Sequence, residues 1–86
     1  MPELCRFFGI IIRMYYNDHD PPHFHAVYGE EEALIEVDTL AIVRGKLPRR
    51  ALALVVEWAV LHRNELRRDW DLARSGRTPE PIAPLE

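Results

Sequence analysis

The chain has a single cysteine, Cys5, and no apolar run long enough to span a membrane. One cysteine excludes an internal disulfide and the four-cysteine zinc patterns. The first residues also lack the basic start and apolar core of a signal peptide, so we expect a cytoplasmic protein with no membrane partner. A surplus of positive charge is missing too. The formal net charge is −3, which argues against a general nucleic-acid binder.

The basic residues that are present are concentrated in one part of the chain. Residues 44–77 hold nine of the eleven Lys and Arg residues against four acids. The first four lie where a helix is expected to begin, and the helix dipole attracts anions there. The sequence therefore predicts an anion-binding cluster of Arg44, Lys46, Arg49 and Arg50, although a solvated turn is the commoner meaning of such a cluster. Nucleic acid stays open as a partner through this local surface.

The first half of the chain reads as β-structure. At 86 residues, the chain (1–86) is expected to form one domain with a thin core. Residues 4–16 are rich in β-branched and aromatic types, which predicts two short strands or one strand bent at Gly9. Strands at 23–28 and 31–38 are expected to form a hairpin around Gly29-Glu30, and residues 40–43 to add a short strand. This gives a small antiparallel sheet of three to four strands within residues 4–43.

The second half reads as helix. Pro48 suits the first helical position, and apolar residues follow at spacings of three and four until Gly76 supplies a C-cap. A helix over 48–75 would be about 42 Å long, whereas a domain of this size has a radius of gyration of about 12 Å. The helix must therefore overhang, bend near 62–64 or pack on another chain. The expected fold is α+β, with a proline-rich extended tail over 78–86.

Two further expectations follow from this fold. One small sheet cannot cover the far end of so long a helix, which predicts a homodimer through the distal helix residues Leu66, Trp70 and Ala73. The core is expected to be built from apolar residues of the strands and the first helical turns. These are Phe8, Ile10, Ile12, Ala33, Ile35, Val37, Leu52, Val55, Val56 and Ala59.

Three of the four histidines lie in one short stretch, residues 17–26. Residues two apart in a strand project to the same side, so His23 and His25 should share a face with Cα atoms about 6.6 Å apart. That spacing lets two imidazoles bind one divalent transition metal such as zinc or nickel. A third ligand would come from the preceding loop, which offers His19, Asp18 and Asp20.

Two other interpretations of these histidines remain open. Histidine titrates near neutral pH, so His23 or His25 could act as acid or base in a small metal-independent ribonuclease, with Arg13 or Arg50 holding the phosphate. Alternatively the cluster is structural: Asp18 and Asp20 cap backbone N–H groups, and the histidines make hydrogen bonds. The protein would then act as an interaction module.

Several motifs together resemble a known family. They are Phe7-Phe8-Gly9-Ile10, Asp18-His19-x-Pro21-Pro22-His23-Phe24-His25-Ala26-x-Tyr28-Gly29, Gly45-Lys46-Leu47-Pro48-x-x-Ala51-Leu52 and Trp58-x-x-x-His62. Over nearly the whole chain this resembles the small bacterial family called domain of unknown function 4160. Members tend to be encoded beside a second small family. The resemblance therefore implies a regulatory or toxin–antitoxin-like interaction module whose partner is the small protein encoded by the neighbouring gene. It implies no catalytic residues.

Overall fold

The structure, a computed structural model that describes residues 2–86, confirms the α+β class. Five antiparallel strands follow one another across a single sheet in the order β1-β2-β3-β4-β5. The strands are β1 (Glu3–Phe7), β2 (Ile10–Arg13), β3 (His23–Tyr28), β4 (Glu31–Glu36) and β5 (Ile42–Gly45). Two helices complete the chain, α1 (Arg49–Leu61) and α2 (Arg63–Arg74).

The alternative of two short strands within residues 4–16 is confirmed, and the sheet therefore has five strands rather than the three to four expected. Phe8 and Gly9 both have positive φ, at 49° and 81°, which is the geometry of a two-residue hairpin turn. β1 therefore pairs with β2 rather than continuing into it. The turn leaves Phe8 60 % exposed, so its predicted place in the core is wrong. Its neighbour Phe7 is buried instead.

The strand boundaries near β5 also differ from the prediction. β4 ends at Glu36 rather than Asp38, and a turn over residues 37–39 follows. Leu40 has a positive φ of 62°, which ends any extended run at 40. The last strand therefore occupies 42–45 rather than 40–43 and pairs with β4 around a bulge.

The two faces of the sheet have different environments. The core face carries alternate residues of β2, β3 and β4, which pack with α1 and α2 into one buried cluster. Most of the predicted core is confirmed, namely Ile10, Ile12, Ala33, Ile35, Val37, Val55 and Ala59, while Leu52 and Val56 are only half-buried. Period-two alternation places Arg13, His23 and His25 on the opposite face, which we call the outer face.

The predicted long helix is two helices. His62 has φ −124° and ψ 25°, which is not helical, and it separates α1 from α2. The bend expected near 62–64 is therefore a full break, and the molecule measures only 33 × 25 × 22 Å. Leu66, Trp70 and Ala73 are buried within the chain itself, so they are not free to form the predicted dimer surface. Dimerisation as such stays a prediction.

The end of α2 and the tail are fixed by specific hydrogen bonds. Gly76, at φ 79°, closes α2 while the N–H of Arg77 donates to the carbonyl of Leu72 at 2.8 Å. The extended tail then returns to the domain, where the N–H of Ile82 donates to the carbonyl of Leu4 at 3.0 Å and Trp58 Nε1 donates to the carbonyl of Ala83 at 2.8 Å. Over residues 2–86, no helix is both long and apolar enough to cross a membrane.

Candidate metal centre

The two strand histidines start β3 and lie on the outer face of the sheet. Phe24 and Ala26 alternate with them and point into the core, where both are fully buried. His23 and His25 are themselves only 5 % and 7 % exposed. The expectation that they share a face is confirmed, and neighbouring groups cover both rings.

Two aromatic side chains provide part of that cover. The ring of Tyr15, just after β2, lies 4.1 Å from the His25 ring between centroids. The Trp70 ring of α2 lies 5.2 Å from the His23 ring, and the two imidazoles are 5.3 Å apart. The fold of α2 back onto the domain therefore helps to enclose the histidines.

The carboxylate of Asp18 connects the two imidazoles. Its Oδ2 atom lies 3.0 Å from His23 Nε2 and 3.3 Å from His25 Nε2. Its Oδ1 atom accepts the backbone N–H of His19 at 2.9 Å, which fixes the orientation of the carboxylate. The loop between β2 and β3 thus places one acidic oxygen between two histidine nitrogens.

The far nitrogen of each ring is also engaged. His23 Nδ1 donates to the backbone carbonyl of Pro21 at 2.8 Å, and because a carbonyl only accepts, this nitrogen carries a proton. His25 Nδ1 lies 2.9 Å from Glu32 Oε2 on β4. Metal-binding histidines make this type of contact, in which the free ring N–H donates to a backbone carbonyl or a carboxylate and orients the other nitrogen.

The electrostatics favour an ionised carboxylate at the centre of the cluster. Partial burial acts to raise the pKa of Asp18. The hydrogen bond from the His19 N–H and the contacts with His25 and His23 act in the opposite direction and prevail, so the pKa lies below its ordinary value. Asp18 is therefore a charged acceptor at neutral pH.

Asp18, His23 and His25 form a group suited to one metal ion. Each offers a ligand atom, and these atoms all lie within 4.8 Å of one another. Two ligands at 2.0–2.1 Å from a tetrahedral zinc are separated by about 3.3–3.4 Å. The contacts of 3.0 Å and 3.3 Å from Asp18 to the imidazoles are close to that separation.

The other two predicted ligands lie outside this group. His19 is exposed, and its contribution is the backbone N–H that holds Asp18. Asp20 is also exposed and accepts a hydrogen bond from Arg74 Nη1 at 3.2 Å. The loop therefore brings one of its three predicted ligands to the histidines.

Comparison with known proteins identifies the family. The model of the family described as Domain of unknown function (DUF4160) matches residues 9–71, most of the chain. The chain belongs to this family. No curated protein and no solved structure matches the chain. The matched segment contains the loop, β3 and β4. It therefore includes the three residues that contact the ring nitrogens of the two histidines, Asp18, Pro21 and Glu32.

The predicted cationic residues lie at two different places. Arg13 is the Cα partner of His25 in the register between β2 and β3, which places it beside the metal group. The predicted anion-binding cluster is exposed along β5 and the start of α1, away from Asp18, and it comprises Arg44, Lys46, Arg49 and Arg50. Anion binding by that cluster stays a prediction.

Sequence reasoning missed Glu32, although a signal for it was present. The predicted two-residue turn at Gly29-Glu30 pairs Tyr28 with Glu31, and this register places His25 opposite Leu34. Glu32 is then the diagonal neighbour of His25 on the same face, within reach of a long side chain. Tyr15 and Trp70 had no comparable signal, because their contacts depend on how the loop and α2 fold back.

Proposed function

We propose that this protein binds a divalent transition-metal ion such as zinc through Asp18, His23 and His25. The proposal is supported by the hydrogen-bonding requirements of the two imidazoles. Both nitrogens of His25 face carboxylate oxygens, at 2.9 Å from Glu32 and 3.3 Å from Asp18. A neutral imidazole has one donor and one acceptor nitrogen, so it can satisfy only one of these contacts.

His23 has the same requirement. Its Nδ1 proton is given to the Pro21 carbonyl, so in the neutral ring Nε2 presents a lone pair to the Asp18 carboxylate at 3.0 Å. With neutral rings, lone pairs and an anionic oxygen face one another in a nearly buried space, which is costly unless an added proton or a metal ion supplies positive charge between them. A metal ion bound by Nε2 of both rings and an oxygen of Asp18 meets the needs of all three groups at once.

The ligand set favours an open metal centre. Structural zinc sites have four protein ligands, whereas catalytic zinc sites have three and keep one position for water or substrate. Two imidazoles and one carboxylate make three. Other imidazole-binding metals, nickel and ferrous iron among them, accept the same donors, so the ligand types alone leave the metal open among these ions.

The metal-independent ribonuclease is less well supported by the same contacts. A general acid or base needs a ring nitrogen within reach of the substrate proton. All four ring nitrogens of His23 and His25 already contact Asp18, Pro21 or Glu32. A metal-bound centre keeps the two Nδ1 contacts and replaces the direct Nε2 contacts with Asp18 by bonds to the ion.

The interaction role implied by the family remains a proposal of its own. Exposed apolar residues support it: Phe8 is 60 % exposed and Leu61 66 % exposed, at the β1–β2 turn and the end of α1. Large exposed apolar side chains are typical of binding surfaces when they cluster. One molecule can bind both a metal ion and the neighbouring gene product.

Zinc titration of untagged, chelator-treated protein tests the metal proposal. A ligand that binds only the folded state at 100 times its Kd stabilises it by about 2.7 kcal/mol, which raises the Tm of a domain of this size by roughly 10–20 °C. We expect one zinc ion per chain in a competition titration against a chromogenic chelator. His23→Gln should abolish both the binding and the stabilisation.

The chain supplies a matched control for this experiment. His19→Gln removes an exposed histidine from the same loop, four residues before His23, and should leave zinc binding unchanged. Circular dichroism of the zinc-free variants checks that each is folded. Equal zinc affinity and equal stabilisation by zinc in the His19 and His23 variants, or no zinc binding by the wild type, would overturn the proposal.

A further inference from the structure

Arg13 lies directly beside the metal group on the outer face. It is the Cα partner of His25 across β2 and β3, and residues directly opposite each other in an antiparallel pair project to the same face. Their Cβ atoms are then about 4.5–5.5 Å apart. The guanidinium of a half-buried arginine at this position is within reach of a ligand bound next to His25.

No acidic side chain pairs with Arg13 among residues 2–86. Its neighbour on β1, Glu3, is opposite it in the register but forms two hydrogen bonds at 2.8 Å with Arg6. Glu3 is thus the acid of the outer face nearest to Arg13, and its charge interacts with Arg13 without a salt bridge. The other acids of this face, Glu32 and Glu36 on β4, lie on the far side of the histidines. The β2 side therefore carries a cation that no salt bridge holds, and the β4 side carries two carboxylates.

We propose that the metal centre takes a phosphate group as its further ligand and that Arg13 holds the same phosphate from the β2 side. This inference rests on the proposed metal binding and names the class of ligand. A tetrahedral dianion has enough oxygens to bind both the metal and Arg13. One oxygen completes the coordination of the metal, and two others accept the paired N–H donors of the guanidinium. In this arrangement the phosphate fills the open coordination position of the metal and gives Arg13 an anionic partner.

Cobalt-substituted protein gives a direct readout, because the visible absorption of Co²⁺ changes when a ligand is exchanged. We expect inorganic phosphate to alter the spectrum of the cobalt-loaded wild type at saturating, chloride-free conditions. Arg13→Gln should weaken phosphate binding about tenfold or more, since charge-assisted bidentate contacts are lost, while cobalt affinity stays within about twofold. Phenyl phosphate serves as a second probe: binding of both probes indicates a phosphate-ester site, and binding of inorganic phosphate alone indicates a site for the free anion.

Arg63→Gln is the matched control. Arg63 is exposed at the start of α2, seven residues or about 10 Å along the helix from Trp70, which contacts the His23 ring. It should leave phosphate affinity unchanged. Cobalt binding without any response to phosphate, or equal losses in the Arg13 and Arg63 variants, overturns this inference and leaves the metal proposal standing. Absence of cobalt binding overturns both.

Discussion

Gly45 on β5 is a position where a single methyl group should disturb both the sheet and the metal site. Its φ is +79°, and a Cβ atom there would lie 2.1 Å from the carbonyl oxygen of Glu32. The N–H of the next residue, Lys46, donates to that same carbonyl at 3.1 Å. The Glu32 side chain in turn contacts His25 Nδ1, so a shift of the Glu32 backbone would disturb the orientation of the His25 ring.

The cost of Gly45→Ala has two parts. The left-handed conformation costs an L-residue about 1–2 kcal/mol. Alanine also lowers the conformational entropy of the unfolded chain, which offsets about 0.4–1 kcal/mol of this cost. The overlap with Glu32 must then be relieved by moving β5, which breaks the Lys46 hydrogen bond, worth about 1 kcal/mol, and strains the edge of the sheet. With the strain of the sheet edge included, we expect a total loss of about 2–3 kcal/mol, a large share of the roughly 5–10 kcal/mol that stabilises a domain of this size.

Gly29→Ala separates the two parts. Gly29 also has a positive φ, +60°, but nothing lies within 4 Å of the Cβ position. It should lose only about 1 kcal/mol. Urea unfolding followed by tryptophan fluorescence measures both variants, because Trp58 is fully buried in the core. Equal losses in the two variants would show that β5 does not pack against Glu32 as described.

Two further variants test single contacts. Asp69 on α2 is 2 % exposed, its Oδ1 accepts the Glu80 N–H at 2.8 Å, and within residues 2–86 its Oδ2 has no partner. Burial raises the pKa of Asp69, so its contribution to folding is present at low pH and is lost as pH rises through the folded-state pKa. Asp69→Asn should therefore be more stable than the wild type at pH 8, by about 1 kcal/mol. Urea unfolding over a pH series that starts below the ordinary aspartate pKa of 3.8 should show the difference growing as pH rises, and a constant difference over the series would contradict the assignment. Glu32→Gln should weaken zinc binding about 10- to 100-fold by loosening His25, whereas Glu31→Gln should not. A competition titration that gives the same Kd for both variants would remove Glu32 from the site.

The sequence predicted the strand that carries the site better than the elements around it. Alternation from His23 to Tyr28, with Pro22 before it and Gly29 after it, marks β3 at both ends, and the structure has the same bounds. The apolar run over 7–12 carries no alternation, so it could not show that Phe8 occupies a turn. The extra strand follows from that turn.

The third ligand and the helix break depend on tertiary contacts. The loop offers Asp18, His19 and Asp20 in sequence, and only their packing against β3 and α2 separates the residue that faces the histidines from the two that do not. The apolar stripe runs in phase through His62, with no Gly or Pro to mark the break. The fold-back of α2 buries Trp70 against His23, which removed the surface expected for a dimer.

Anomalous scattering at the zinc absorption edge, recorded from a crystal grown with excess zinc, tests the metal proposal most directly. We expect one strong peak per chain, about 2.0–2.2 Å from Nε2 of His23, Nε2 of His25 and an oxygen of Asp18. The Nδ1 contacts to Pro21 and Glu32 should remain in place. A fully occupied zinc at another position, or no peak near these three atoms at saturating zinc, would contradict the proposal.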